Sequence, residues 1–376
     1  MSFSPSRVKA LREALITHGL DAFYLRATSD IAWLTGFEHV FDEEAAHAVL
    51  VTPTRLLVHS DSRYATPLRA AAIDTPFVID QTRCGHVPFV FECIRKEFST
   101  DQDVLRLGIE DVIPLAEYRL CEREIQEHRD RIRLVETNGL IAGLRQVKDE
   151  AEITALREAQ RITDRAFSHI VGFLRLGMTE KEIRSELDRY MYELGAEGLA
   201  FPTIVATGDH AASPHAIPSD RVIREGECVV MDFGARYRGY CSDMTRTVFV
   251  GEPSARLRRA WDTLREANES CEALLKAGIT GACMQKKAEE ILAAGGFADA
   301  MGHALGHGVG LDIHEAPNLS PANKNPLISG NVVTVEPGIY VEGEFGMRLE
   351  DFGVVGDEGF DVFTKSTHEM VIIEGR

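Results

Sequence analysis

The segment from Val229 to Thr247 constrains the fold of this 376-residue chain more than any other. It reads VVMDFGARYRGYCSDMTRT, with two apolar runs on either side of a polar segment centred near Tyr237 and Arg238. This pattern predicts a β-hairpin. Folding about that centre places Asp232 opposite Asp243, and directly opposed strand residues have Cβ atoms roughly 5 Å apart. Two carboxylates so close, in strands this apolar, require a positively charged partner.

The hairpin alone leaves two candidates for that partner. One is an arginine of the same segment, Arg236 or Arg246, and the other is a bound metal ion. Further potential ligands later in the chain favour the metal, as described below.

The composition limits the classes of partner. A prior of about 150 residues per domain predicts two or three domains. The net charge of −18, from 41 basic and 59 acidic residues, disfavours nucleic acid and anionic membranes as partners, because both require a basic face. Seven scattered cysteines without a C-x-x-C motif indicate reduced thiols in a cytoplasm. The N-terminal residues form an amphipathic helical pattern and not a signal peptide, and no apolar run is long enough to span a bilayer.

The pattern of the chain changes near residue 136. Residues 1–135 alternate short strands with helices, which predicts an α/β domain, and they contain no phosphate-binding glycine motif. Residues 136–376 begin with a long charged amphipathic helix that ends near Leu174. Thr179 is then the predicted N-cap of a helix from Glu180 to Leu194. We therefore place a domain boundary between residues 135 and 136.

The second domain contains a histidine-rich segment, HALGHGVGLDIHEAP, with His303, His307 and His314 among three glycines. Glycines let backbone and ligand approach closely. The alternative is a surface loop with incidental histidines. Glu336 follows in VVTVEPGIY, where it ends an apolar strand, and a carboxylate in that position requires a cation. His215 lies earlier, in a loop before the hairpin, where a histidine is commonly just solvated.

The last polar cluster interrupts an apolar strand in EFGMRLEDFGVV. By the period of two, Arg348 and Glu350 share one face of that strand and Asp351 points to the other. The alternative for Arg348 and Glu350 is a row of surface ion pairs.

Together these segments predict a metal site. Four carboxylates and one imidazole carry enough negative charge for two divalent ions: Asp232, Asp243, Glu336, Glu350 and His307. An oxygen-rich set with one nitrogen suits Mn²⁺, with Co²⁺, Fe²⁺ or Zn²⁺ as alternatives, and is too poor in sulfur and nitrogen for structural zinc. Paired metals about 3.5–4 Å apart ionise a water between them.

At this point the sequence resembles a known family. The matching segments cover both domains: TGF at 35–37, DSRY at 61–64, MDFGARYRGYCSDMTRT, GHGVGLDIHEAP, VEPGIY and MRLED. The second domain resembles the creatinase/methionine-aminopeptidase, or pita-bread, metallopeptidases, and the whole chain is similar to the Xaa-Pro aminopeptidases and prolidases. The resemblance implies an N-terminal creatinase-like α/β domain followed by a C-terminal α+β pita-bread domain.

The resemblance also implies a role for each ligand. Asp232 would chelate one metal, His307 and Glu336 the other, and Asp243 and Glu350 would bridge both. A hydroxide bridging the two ions would attack the Xaa-Pro bond, with Glu336 as the general base.

Accessory roles follow from the same resemblance. His215, His303 and His314 match histidines that orient substrate and stabilise the tetrahedral intermediate. Tyr340 and Arg348 match positions near the scissile bond. The implied partners are a proline-containing peptide or dipeptide and a second copy of the chain, as a homodimer whose first domain reaches toward the neighbour's cleft.

Three alternatives remain within this resemblance. Creatinase shares the two-domain layout but acts without metal as an amidinohydrolase, and an intact ligand set argues against it. Methionine aminopeptidase usually lacks the first domain. A non-catalytic pita-bread binding module would be expected to have lost ligands. The sequence leaves the choice between dipeptidase and aminopeptidase open.

Overall fold

The computed structural model describes residues 3–42, 44–98 and 104–374. The chain divides into two compact units, Met1–Arg145 and Gln146–Arg376. Among the described residues, no helix combines the length and the apolar character needed to cross a lipid bilayer.

The first unit is built on a mixed six-stranded sheet with the order β4-β3-β2-β1-β5-β6. Its strands are β1 Ala22–Leu25, β2 His47–Val51, β3 Leu56–Ser60, β4 Val78–Asp80, β5 Leu105–Glu110 and β6 Ile132–Thr137. Its helices are α1 Pro5–Thr17, α2 Thr28–Thr35, α3 Ala65–Ala71, α4 His86–Glu97, α5 Leu115–His128 and α6 Leu140–Arg145.

Helices cover this sheet, as predicted for an α/β domain. The apolar side chains of α4 and α5 pack on one face, against Tyr24 and Leu50 among others. Strand residues of the opposite parity, such as Phe23 and Val49, are also fully buried, so both faces are covered.

As far as residue 374, the second unit contains four long helices and four small sheets. The helices are α7 Glu150–Phe173, α8 Glu180–Glu193, α9 Ala255–Leu274 and α10 Gly281–Ala294. The strands are β7 Gly198–Leu199, β8 Ile204–Thr207, β9 Cys228–Phe233, β10 Ala235–Tyr237, β11 Tyr240–Cys241, β12 Met244–Val250, β13 Val332–Val335, β14 Gly338–Val341, β15 Phe345–Arg348, β16 Asp351–Val355, β17 Phe360–Val362 and β18 Val371–Ile373. The sheets have the orders β18-β12-β9-β8, β11-β10-β7, β13-β16-β17 and β14-β15.

Thr179 is the N-cap of α8, as predicted. Its hydroxyl accepts a hydrogen bond from the backbone N–H of Glu182, and the Glu182 carboxylate accepts one from the backbone N–H of Thr179. This reciprocal pair satisfies two backbone donors that the first turn of the helix would otherwise leave unpaired.

The central strands alternate between two helical layers. In β9, Val229, Met231 and Phe233 pack with α7 and α8, while Cys228 packs with α9. The period of two therefore turns Asp232 away from α7 and α8, onto the face that Cys228 shares. Apolar burial on both sides fixes which face each polar residue occupies.

Candidate metal centre

The hairpin forms with its turn one residue later than predicted. Tyr237 pairs with Tyr240, and in the same register Asp232 pairs with Thr245. The predicted pairing of Asp232 with Asp243 is therefore wrong. Because Asp243 lies two positions before Thr245, it still shares a face with Asp232, as a diagonal neighbour at about 7–8 Å. Diagonal neighbours at this general spacing leave room for a cation between their side chains.

The histidine-rich segment is held close to β13. The backbone N–H of His307 donates to the Thr334 hydroxyl at 3.0 Å, and Thr334 N–H donates to the His307 carbonyl at 2.8 Å. A Cβ at Gly306 would lie 2.1 Å from the Thr334 carbonyl oxygen, so only glycine permits this approach. The glycine thus fixes the backbone position from which His307 projects.

The imidazole of His307 presents a lone pair to two carboxylates. Burial lowers the pKa of His307, so the ring is neutral with one N–H. We assign that proton to Nδ1, which lies 3.1 Å from the Gly308 carbonyl oxygen. Nε2 then faces Asp243 Oδ2 at 3.4 Å and Glu336 Oε1 at 3.3 Å as an electron-pair donor. Three electron-pair donors directed at one another are the arrangement that a metal cation satisfies.

The sequence pattern predicted that Glu350 lies within a strand. The structure instead places it in a break between two strands. β15 ends at Arg348 and β16 begins at Asp351, and the two strands belong to different sheets. The Glu350 backbone N–H donates to the Thr245 carbonyl at 3.1 Å, and the Thr245 hydroxyl donates to Glu350 Oε2 at 2.6 Å. These contacts hold a side chain that is only 1% exposed beside β12.

Ligand atoms converge at this point. Asp243, His307 and Glu350 each place one within 4.8 Å of the others. Burial, followed by the charges of neighbouring carboxylates, raises the pKa of Asp243 and of Glu350 well above the ordinary values. Burial also raises the pKa of Glu336, against the opposing effects of Arg348 and His303. Asp232 Oδ1 is buried without a hydrogen-bond partner. The donor set therefore fits divalent cations, which favour the ionised carboxylates.

Arg348 is the arginine that neutralises Asp232. Its side chain is buried, with the residue 4% exposed, so the alternative of a surface ion-pair row is wrong. Nη2 donates to Asp232 Oδ2, Nη1 donates to the Tyr340 hydroxyl at 2.8 Å, and Nε donates to the Thr245 hydroxyl at 2.8 Å. A single guanidinium thus links a candidate ligand to a candidate accessory residue.

Tyr340 and His303 form a pair beside this arginine. The Tyr340 hydroxyl lies 3.1 Å from His303 Nε2, and His303 Nδ1 lies 2.8 Å from the Ala304 carbonyl oxygen. Burial lowers the pKa of His303 and raises that of Tyr340 to about 12. At neutral pH the tyrosine is therefore protonated and the histidine neutral, with Nδ1 as its donor and Nε2 as its acceptor.

The other two histidines lie at the accessible side of the cluster. The ring of His314 stands 4.3 Å from that of His307, centroid to centroid, at an interplanar angle of 75°. His215 is exposed in its loop, as predicted, and the preceding Pro214 carbonyl accepts from Arg348 Nη1 at 3.4 Å.

Two supporting features were missed by the sequence reasoning. Thr245 bonds both Glu350 and Arg348, and a correct hairpin register would have indicated it. Arg246 is not the partner of the hairpin carboxylates, because it donates to Asp351 Oδ1 at 2.7 Å and to the Glu350 carbonyl at 2.6 Å. His368 Nε2 lies 2.7 Å from the other Asp351 oxygen. This network of Arg246, Asp351 and His368 holds the backbone of Glu350 in place through the hydrogen bond from Arg246.

Comparison with known families settles the relationship. The pattern of metallopeptidase family M24 matches residues 154–357, and that of the creatinase/prolidase N-terminal domain matches residues 7–147. The chain belongs to metallopeptidase family M24. The predicted resemblance and the predicted two-domain fold, creatinase-like and then pita-bread, are therefore confirmed.

Solved structures of Xaa-Pro peptidases match nearly the whole chain. The Xaa-Pro dipeptidase from Bacillus anthracis is 34% identical with a TM-score of 0.89, and the match covers 98% of this chain and 99% of that one. An X-Pro aminopeptidase from Thermotoga maritima MSB8 is 33% identical with a TM-score of 0.84, covering 96% and 100%. An uncharacterized peptidase of Bacillus subtilis is 42% identical over 230 residues, which span 61% of this chain and 65% of that protein.

Proposed function

We propose that this M24 protein is a dinuclear-metal exopeptidase that hydrolyses Xaa-Pro bonds, in dipeptides or at the N-terminus of longer peptides. The observation that carries the proposal is the position of His307 Nε2, which lies 3.4 Å from Asp243 Oδ2 and 3.3 Å from Glu336 Oε1, with Glu350 within ligand range. Asp232 completes the set of five proposed ligands. The relatives described as an Xaa-Pro dipeptidase and an X-Pro aminopeptidase support the substrate class.

The ligand set would hold two divalent cations, with Mn²⁺ favoured by its oxygen content and Co²⁺, Fe²⁺ or Zn²⁺ as alternatives. Such a pair supplies positive charge at the scissile carbonyl and lowers the pKa of water. In this proposal Asp243 and Glu350 would be shared between the two ions, Asp232 would hold one ion, and His307 and Glu336 would hold the other.

The side chains of the site would perform the proton transfers. Glu336 has its pKa raised by burial, which suits a carboxylate that accepts a proton from the attacking water and passes it to the leaving proline nitrogen. The imidazoles of His314 and His215 are proposed to stabilise an oxyanion. His303 and Tyr340, which lie within hydrogen-bond distance of each other, are proposed to orient the substrate.

Arg348 would orient the reacting groups. Its guanidinium donates to both Asp232 and Tyr340, so it fixes a ligand relative to a donor that is proposed to contact the substrate. Rigid placement of this kind contributes to catalysis because the reacting atoms are already aligned when the substrate binds.

The test is proline release by the metal-loaded protein from two substrates, Ala-Pro and Ala-Pro-Ala. The proposal predicts hydrolysis of at least one, and the ratio of the two kcat/KM values decides between dipeptidase and aminopeptidase. Ala-Ala serves as the control without proline. Hydrolysis of creatine by the metal-free protein, with neither proline peptide cleaved, would favour the amidinohydrolase alternative.

We also propose a cytoplasmic homodimer as the working form. The family resemblance supports the homodimer. The cysteines support the cytoplasmic location, since all seven are free. Light scattering at assay concentration measures the mass directly. A fully active monomer would contradict the dimer without affecting the proposed chemistry.

A further inference from the structure

Glu180 occupies an unusual place for a carboxylate. It is the first residue of α8, its side chain has no exposed surface, and it lies outside the metal cluster. Negative charge at a helix N-terminus is favoured by the unpaired N–H groups and the helix dipole. A fully buried carboxylate nevertheless requires hydrogen-bond donors, and the donors that Glu180 uses come from outside its own helix.

These donors lie within one loop or directly beside it. Oε1 accepts from the backbone N–H of Thr207 at 2.9 Å, and Oε2 accepts from the backbone N–H and the hydroxyl of Ser219 at 2.9 and 2.7 Å. His210 Nδ1 lies 2.8 and 2.9 Å from the two oxygens. Residues 208–218, which we call the His215 loop, are therefore tied at both ends to the same carboxylate.

A second contact seats the loop on the strand that carries Arg348. A Cβ at Gly346 in β15 would lie 1.8 Å from the Ala211 carbonyl oxygen, so loop and strand meet backbone to backbone. Ala211 and Ala216 are buried against Ala206 and Val230. The loop is thus held by its contact with β15 and at both of its ends, and His215 lies on its exposed side.

We propose that Glu180 is a positioning residue that fixes His215 for catalysis. The proposal rests on the proposed function, in which His215 contacts the substrate. A side chain on a loop is placed as precisely as the loop is anchored, and a displacement of about 1 Å can cost on the order of 100-fold in rate. Glu180 supplies the anchor because its two oxygens can accept every donor described above, whereas an amide in its place can accept only on one side.

The test compares Glu180→Gln with Glu182→Gln. Glu182 lies in the same first turn and accepts from Thr179, but it does not contact the loop. In Glu180→Gln we expect faster amide hydrogen exchange in peptides covering 207–219, unchanged metal content, and a kcat/KM for Ala-Pro lower by about tenfold or more. In Glu182→Gln we expect faster exchange confined to the start of α8 and an unchanged kcat/KM.

The decisive step is a double-mutant cycle with His215→Ala. If Glu180 acts through His215, Glu180→Gln causes no further loss of kcat/KM when His215 is already alanine. An equal loss in both backgrounds, or unchanged exchange in the loop, would overturn the proposal. If Glu180→Gln does not fold, Ser219→Ala and His210→Ala are used instead, since each removes one donor to Glu180. Each must then give faster exchange in the loop and a lower kcat/KM. Failure of the proposed function gives a different result. The wild-type protein would then not hydrolyse Ala-Pro, while amide hydrogen exchange could still be compared between the variants.

Discussion

Thr245→Val should weaken metal binding without changing the shape of the core. The Thr245 side chain is fully buried, and its hydroxyl donates to Glu350 Oε2 at 2.6 Å while accepting from Arg348 Nε at 2.8 Å. Valine keeps the volume and removes the hydroxyl. Each lost hydrogen bond to a charged group costs about 1.5–3 kcal/mol. Loss of the Thr245–Glu350 hydrogen bond should lower the metal affinity by this free energy, which is a factor of about 10–150 in Kd. This range agrees with the 10–100-fold loss of affinity typical when a group that orients a metal ligand is removed.

The assay is titration calorimetry of the metal-free protein with Mn²⁺, and the control is Thr247→Val. Thr247 is also buried on the same face of β12, but its hydroxyl bonds only the backbone of Arg348, at 2.9 and 3.2 Å. The control should therefore lose about 0.5–1.5 kcal/mol per bond in stability and keep its metal affinity. An unchanged Mn²⁺ affinity in Thr245→Val, or an equal loss in both variants, would refute the reasoning.

Three further predictions concern the same cluster. Asp243→Ala should abolish activity and lower the metal content measured by elemental analysis while the fold survives; full activity with two metals per chain would exclude Asp243 as a ligand. His303→Ala and His314→Ala should retain metal but lose about 10²–10⁴ in kcat, and metal loss equal to that of a ligand variant would contradict this. The raised pKa values of Asp243, Glu336 and Glu350 stabilise the metal-free fold below an ordinary carboxyl pKa of about 4, and this contribution is lost as pH rises. The gain in Tm from saturating Mn²⁺ should therefore increase with pH in thermal melts, and a gain that does not change with pH would count against a carboxylate metal site.

The polar residues themselves were accessible from sequence, because a carboxylate or histidine that ends an apolar run stands out locally. The family segments then identified the fold of both domains. The N-cap at Thr179 was also predictable, since capping depends on residues only three positions apart.

The register and the supporting contacts were not predictable in the same way. The turn lies one residue beyond the centre of the polar segment, which shifts each cross-strand partner by two positions and replaces Asp243 with Thr245 opposite Asp232. Hairpin register depends on the turn conformation, which composition alone does not specify. The role of Glu180 depends on contacts with residues 27 to 39 positions away, for which no local pattern exists.

The most direct test of the account is reconstitution of the chelated protein with zero, one and two equivalents of Mn²⁺, followed by proline release from Ala-Pro. The account predicts no activity without metal, full activity only as the second equivalent binds, and proton release on binding. Activity that is already complete in the chelated protein, with no Mn²⁺ bound by calorimetry, would contradict the claim that these carboxylates and His307 form a metal centre.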